Sequence, residues 1–402
     1  MQHTMFAIRM SSALAIAALL AACSGSGPSG KVTPSGVASD TQMHLTQSAI
    51  GSGVLQFVYV TNLEDNNISA YAVDATNGAL APVTGSPFAA GRTPGSVAVD
   101  PTGRFAYVAN DGNLSGTGNV SAYTIDASNG ALTSVAGSPF ASGRGSVGVA
   151  IKGKHAYVSN YADNNVSAYT INATSGALTP VASSPFAAGT NPQDVAVDPK
   201  GKFAYVPNSN DNTVSAYKIN TSTGALTPVA GSPFATGTDP YGVAVDPKGR
   251  FAYVTNVESN TVSVYTIDAT SGALAPVAGS PFAAGTNPYH LAVNPNGTFA
   301  YVANFGSANV SAYTIDATSG ALTPVAGSPF SAGTDPAGVA VDPRGKYAYV
   351  TNFEDNTVSV YTIKASSGAL TPVKGSPFAA GRHPFGITTC RSDRLATTCK
   401  PR

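Results

Sequence analysis

The sequence predicts an all-β fold, a seven-bladed β-propeller of four-stranded antiparallel blades, and three observations carry that prediction. The first is repetition. Phe105-Ala-Tyr-Val-Ala-Asn110 has six close relatives ending at Asn62, Asn160, Asn208, Asn256, Asn304 and Asn352, spaced 48, 50, 48, 48, 48 and 48 residues apart. A fixed period near 50 whose units hold several short strands marks a propeller or a solenoid. The second is composition within the unit: short segments rich in Val, Tyr, Ile, Thr and Phe, each bounded by turn residues. The third is complementarity of the ends. The first unit begins at Leu55-Gln-Phe-Val-Tyr-Val60 without a preceding Val-rich segment. The last unit is followed by Pro384-Phe-Gly-Ile-Thr-Thr-Cys390, which aligns with Pro94-Gly-Ser-Val-Ala-Val-Asp100. A closed ring gains from that complementarity, because the last strand completes the first blade and removes a free edge.

Taken from the N-terminus, residues 1–22 predict a lipoprotein signal peptide. Arg9 is the one charged side chain there, and Ser11 to Leu20 is an apolar run too short to span a bilayer. Leu20-Ala-Ala-Cys23 resembles a bacterial lipobox, which implies lipid modification at Cys23 and anchoring to the membrane. Residues 23–53 are rich in Gly, Ser, Pro and Thr and predict a flexible tether. The expected location is the bacterial cell envelope, lipid-anchored at the outer membrane, on its periplasmic side or at the cell surface. The propeller is expected over 54–390, with a tail over 391–402. Once Cys23 is assigned to the anchor, Cys390 and Cys399 are the remaining thiols, and in an exported chain a disulfide pinning the tail is expected.

Within one unit, Asp100-Pro-Thr-Gly103 has the residue order of a type I turn between the inner and second strands. Asp126-Ala-Ser-Asn-Gly130 reverses the chain between the third and outer strands. Pro139 belongs at an edge, since proline cannot donate to a central ladder. The Val-rich segment therefore lies at the axis. Charge is balanced, 21 basic against 21 acidic residues, which gives no electrostatic footprint for nucleic acid.

The seven Tyr-Val-x-Asn units, each followed by a stretch such as Gly320-Ala-Leu-Thr-Pro-Val-Ala-Gly-Ser-Pro-Phe330, resemble the YVTN-repeat proteins and the lactonase-like propellers of the 6-phosphogluconolactonase type. The resemblance covers about residues 54–390. It implies the seven-bladed fold and, for the lactonases, Arg, His and carboxylate groups around the channel mouth.

A site belongs on one face. The inner-to-second and third-to-outer turns repeat nearly unchanged on the first face, whereas the second-to-third loops and the blade-to-blade crossovers vary on the other. On the variable face His290 and His383 can act as acid or base near neutrality, with Glu258 and Arg382 as carboxylate and cation. Arg92, Asp194, Tyr241, Tyr289 and Glu354 are candidate ligand contacts on the rim. With no Trp in the chain, a stacking platform would draw on Tyr161, Tyr241, Tyr289 or Phe385. His155 replaces the Phe of its strand and reads as a packed side chain.

The leading functional expectation is a binding or interaction module working through this variable face on a protein, carbohydrate or small molecule. The alternative is a lactone (carboxylic ester) hydrolase using His290 with Glu258 and an Arg. A cofactor-bearing redox propeller is a third reading that no ligand motif supports. The expected chain is a monomer without cofactor or metal.

Overall fold

In each blade the second strand is entirely buried, as an alternation of Phe, Ala, Tyr and Val between two neighbouring sheets demands. The computed structural model describes residues 55–112, 116–392 and 399–400. The signal, the tether and Cys23 lie outside the described residues. Blade 2 shows the pattern: an inner strand Pro94–Val99, a second strand Phe105–Asn110, a third strand Asn119–Ile125, and an outer strand in two pieces, Leu132–Ser134 and Phe140–Ala141. Neighbours are antiparallel throughout. Seven such sheets are present.

The outer strand is interrupted at the Ser-Pro step, which is cis in all seven blades. There the serine hydroxyl replaces the missing ladder partner: Ser138 Oγ accepts the Ala122 N–H at 2.9 Å, and Ser184 Oγ accepts that of Ala168 at 2.9 Å. The edge position expected for Pro139 is thus a break in the edge strand with a side-chain patch across it.

Ring closure follows the expected route. Pro384–Ser392 pairs with Leu55–Asn62 as the inner strand of blade 1, with Phe57 opposite Cys390 and Val60 opposite Ile387. This strand runs two residues past the expected boundary at 390, and Cys399–Lys400 pairs back on its end. Cys390 is fully buried and disulfide-bonded.

Hydrophobic clusters sit between adjacent blades. Between blades 2 and 3, Phe105, Tyr107 and Val120 pack on Val149, Val158 and Tyr169. Fully burying one such side chain contributes roughly 1.5–3 kcal/mol. Two tyrosines cross the same interface in opposite directions: Tyr107 OH donates to Gly176 O at 2.9 Å, and Tyr169 OH donates to Ala141 O at 2.6 Å. The repeat asparagine is also structural. Asn160 Nδ2 donates to Ser167 Oγ at 2.8 Å while its Oδ1 accepts the Gly143 N–H at 3.2 Å. Tyr-Val-x-Asn is therefore a blade-joining device, and its one variable position decides what happens at the channel mouth.

Candidate functional site

The variable position reads Thr61, Ala109, Ser159, Pro207, Thr255, Ala303 and Thr351 from blade 1 to blade 7. In the odd blades its hydroxyl bridges two inner strands. Ser159 Oγ accepts the Gly148 N–H at 2.9 Å and donates to Gln193 O of the next blade at 2.7 Å. Thr61 does the same for Gly386 N–H and Gly95 O, and Thr351 for Gly338 N–H and Phe385 O. Thr255 does so for Gly242 N–H and Tyr289 O. The accepted N–H belongs to glycine each time, because a Cβ has no room. At Gly148 it would stand 2.7 Å from Ser159 Oγ and 2.8 Å from Gln193 O. At Gly338 and Gly386 it would collide with the next blade's carbonyl.

Blades 2, 4 and 6 lack the hydroxyl, and the residue matching those glycines carries a side chain: Ser96, Asp194 and His290. Each occupies the step just after the crossover proline, where the ladder loses register. His290 falls in the bulge between Pro288 and Leu291, and Ser96 in that between Pro94 and Val97. Blade 4 is more disturbed, its inner strand reduced to Ala196–Val197 with a lone bridge from Pro192 to Asn208. Bulges re-aim side chains, and in blades 4 and 6 Asp194 and His290 each reach a backbone group of the next blade's inner strand.

The two interact electrostatically. Asp194 Oδ1 accepts the Val195 N–H at 2.7 Å and Oδ2 accepts the Val243 N–H at 3.2 Å. His290 Nδ1 lies 3.1 Å from Ala337 O. A carbonyl can only accept, so Nδ1 carries the proton and Nε2 is the basic nitrogen of the neutral ring. Both side chains are surrounded by protein yet keep partly open surface. Burial is the larger influence on each. It holds the His290 imidazole below its ordinary value and pushes the Asp194 carboxyl up, while the charge of each partner opposes part of the other's shift.

The rest of the mouth is divided. Blades 5, 6, 7 and 1 supply an apolar cluster of Tyr241, Tyr289, Phe305, Phe353, Phe385 and Leu63 with Ala337. Tyr289 stacks on Phe305 at 4.6 Å between centroids, and Tyr241 meets the edge of His290 at 5.2 Å. Burial raises the Tyr241 phenol well above its ordinary value, so it stays a neutral donor. Blades 2 to 4 supply polar groups at the corresponding positions, Asp111, Tyr161, Gln193 and Ser209, with Gln193 Nε2 donating to Ser209 Oγ at 3.2 Å. The Tyr161 phenol is pushed up to about 12, by burial first and then by Asp239 and Asp111.

The residues expected from the sequence separate into two groups. Asp194, Tyr241, Tyr289 and His290 come together at the mouth, and Phe385 joins the two tyrosines at 6.4 Å from each. Arg382 and His383 lie on the crossover into blade 1, where both meet Glu64 and His383 also packs on Phe353 of the apolar cluster. Arg382 Nη1 meets Glu64 Oε1 at 3.0 Å and its Nε meets Asp65 Oδ1 at 2.7 Å. His383 stacks on Phe353 at 4.3 Å, with Nδ1 3.4 Å from Glu64 Oε2. Glu258, Glu354 and Arg92 are exposed on loops of the variable face, and no hydrogen bond joins any of them to His290. His155 is buried in the slot that phenylalanine fills elsewhere. Ser96, Phe305 and Phe353 were missed by the sequence reading. Aligning the residue before and the residue after each repeat asparagine would have revealed them.

Comparison with known proteins gives three results. A family model described as "Lactonase, 7-bladed beta-propeller" matches residues 37–147, 137–239 and 235–396. Among solved structures, a candidate 6-phosphogluconolactonase of Bacteroides fragilis is 22% identical with a TM-score of 0.74, covering 84% of this chain and 98% of its own. The periplasmic gluconolactonase PpgL of Pseudomonas aeruginosa is 21% identical with a TM-score of 0.71, covering 84% and 99%. Likeness at this level of identity speaks for the fold alone. No curated protein matches the chain.

Proposed function

The chain belongs to the lactonase family of seven-bladed β-propellers, and from that premise we propose that it hydrolyses lactones at the mouth formed by blades 4 to 6. The observation that carries the proposal is geometric: Asp194 and His290 carry polar side chains at equivalent steps of blades 4 and 6, in a ring where the odd blades allow only glycine. His290 Nε2 takes a proton from water as its oxygen bonds to the lactone carbonyl carbon. The ring C–O bond then breaks, and the same nitrogen returns the proton to the departing alkoxide, giving the hydroxy acid. Asp194 steadies the imidazolium between these steps. Tyr241, neutral and edge-on to His290, is the donor suited to the carbonyl oxygen as charge builds there.

A pH-stat assay on glucono-δ-lactone and on acyl lactones, corrected for the uncatalysed rate, tests this. Turnover by the native protein with a loss of at least about 100-fold in His290→Gln supports it. Undiminished turnover in that variant rules out the assigned base. Binding without turnover is the second reading, favoured by the division of the mouth into an aromatic and a polar half. We also propose that the protein is exported and held to the envelope by lipid at Cys23, a reading that rests on the Leu20-Ala-Ala-Cys23 segment.

A further inference from the structure

We infer that this mouth selects uncharged lactones and excludes phosphorylated ones, an inference that rests on the site assigned above. A phosphate ester needs cations or free backbone N–H groups, and the structure provides few of either at the mouth. Among the described residues every lysine lies on the opposite face or toward the blade exteriors, for example Lys152, Lys200, Lys248 and Lys346 in the turns that end the inner strands. The variable-face loops hold three arginines. Arg144 is committed to Asp163 at 2.6 Å, and Arg382 to Glu64 and Asp65. Arg92 is exposed on the crossover into blade 2.

In the odd blades the backbone donors at the mouth are also engaged. The glycine N–H groups of blades 1, 3, 5 and 7, the small-residue positions where a phosphate could approach the chain, all donate to Thr or Ser hydroxyls. The acidic side chains the mouth does offer are carboxyl groups, Asp194 and Asp111, opposite an aromatic wall. A dianion there would be desolvated next to like charge. An uncharged ring can lay its apolar face against the partly exposed rims of Tyr241, Tyr289 and Phe305 while its polar edge meets the other half of the mouth. Export to the envelope, proposed above, agrees with this, since sugar phosphates belong to the interior of the cell.

The test uses a matched pair of non-hydrolysable probes, glucono-δ-lactam and its 6-phosphate, titrated into the native protein by calorimetry, beside turnover of glucono-δ-lactone and its 6-phosphate. The expected result is binding of the neutral lactam with at least about tenfold weaker binding of the phosphate, as unpaired like charge at a contact requires. Equal or tighter binding of the phosphate overturns the inference, and loss of that binding in Arg92→Ala would identify the cation responsible. Failure of the neutral lactam to bind overturns it too. Selective binding of the neutral lactam without turnover of either lactone upholds the inference while removing the hydrolase reading.

Discussion

Asp194 and His290 stand two blades apart on either side of Gly242, and each reaches a backbone group of the blade that follows it. The carboxylate takes the Val243 N–H at 3.2 Å, and the imidazole gives its Nδ1 proton to Ala337 O at a separation of 3.1 Å. The pair is possible because blades 4 and 6 carry Pro207 and Ala303 where blades 3, 5 and 7 carry Ser159, Thr255 and Thr351. One column of the repeat thus holds the ring together in blades 1, 3, 5 and 7 and leaves room for side chains at the matching step in the others.

That exchange predicts opposite tolerances at equivalent positions. Thr255→Val strands the Gly242 N–H and the Tyr289 carbonyl and should cost about 1–3 kcal/mol in urea unfolding. Ala303→Thr places a hydroxyl against the Cβ of His290, and should disturb the mouth in an assay of lactone turnover more than it lowers stability.

His155 offers a stabilising substitution. It fills the Phe slot against Gly224, its Nε2 is buried without a partner among the described residues, and burial holds its pKa below the ordinary value, with Lys154 adding to the effect. His155→Phe should raise stability by about 1 kcal/mol at neutral pH. The unfolded chain takes up a proton below pH ~6.5 that the native chain resists, so native stability falls on acidification through that window. The advantage of His155→Phe should therefore widen from pH 7 toward pH 5, which unfolding curves at the two pH values would show.

The turn carboxylates act as hydrogen-bond acceptors. Asp246 Oδ1 takes the N–H groups of Arg250 and Phe251, and in blade 6 Asn294 Oδ1 takes those of Thr298 and Phe299 at 2.8 and 2.9 Å. Asp246→Asn should thus leave the melting temperature nearly unchanged. Asp246→Ala should cost about 1–3 kcal/mol by leaving buried donors unmet.

How much of this was legible in the sequence differs by level. Blade number, the closure by Pro384–Ser392 and the choice of face all follow from periodicity, turn chemistry and the mismatch between the two ends. The site was half legible. Asp194, Tyr241, Tyr289 and His290 stood out as departures from the repeat, but so did Arg382, His383 and Glu258, and variation alone cannot separate a channel-facing residue from one on an outer loop. The distinction arises from the bulge after each crossover proline, which turns residues such as His290 inward while Arg382, two positions before its proline, stays outside. Ser96 escaped because serine is unremarkable in a chain rich in serine. Its significance lies in Ala109 on the paired strand, a relationship that exists only once register is known.

The proposed base that opens a lactone is His290, with its proton on Nδ1 and the charge of Asp194 acting on it. The most direct measurement is the pH dependence of kcat/KM for glucono-δ-lactone in the native protein and in Asp194→Asn. The account predicts activity rising through an apparent pKa below ~6.5 in the native protein. In Asp194→Asn that limb should move lower still, because the carboxylate is what raises the imidazole pKa against burial. A limb above 6.5, or one that does not move when Asp194 loses its charge, would contradict it.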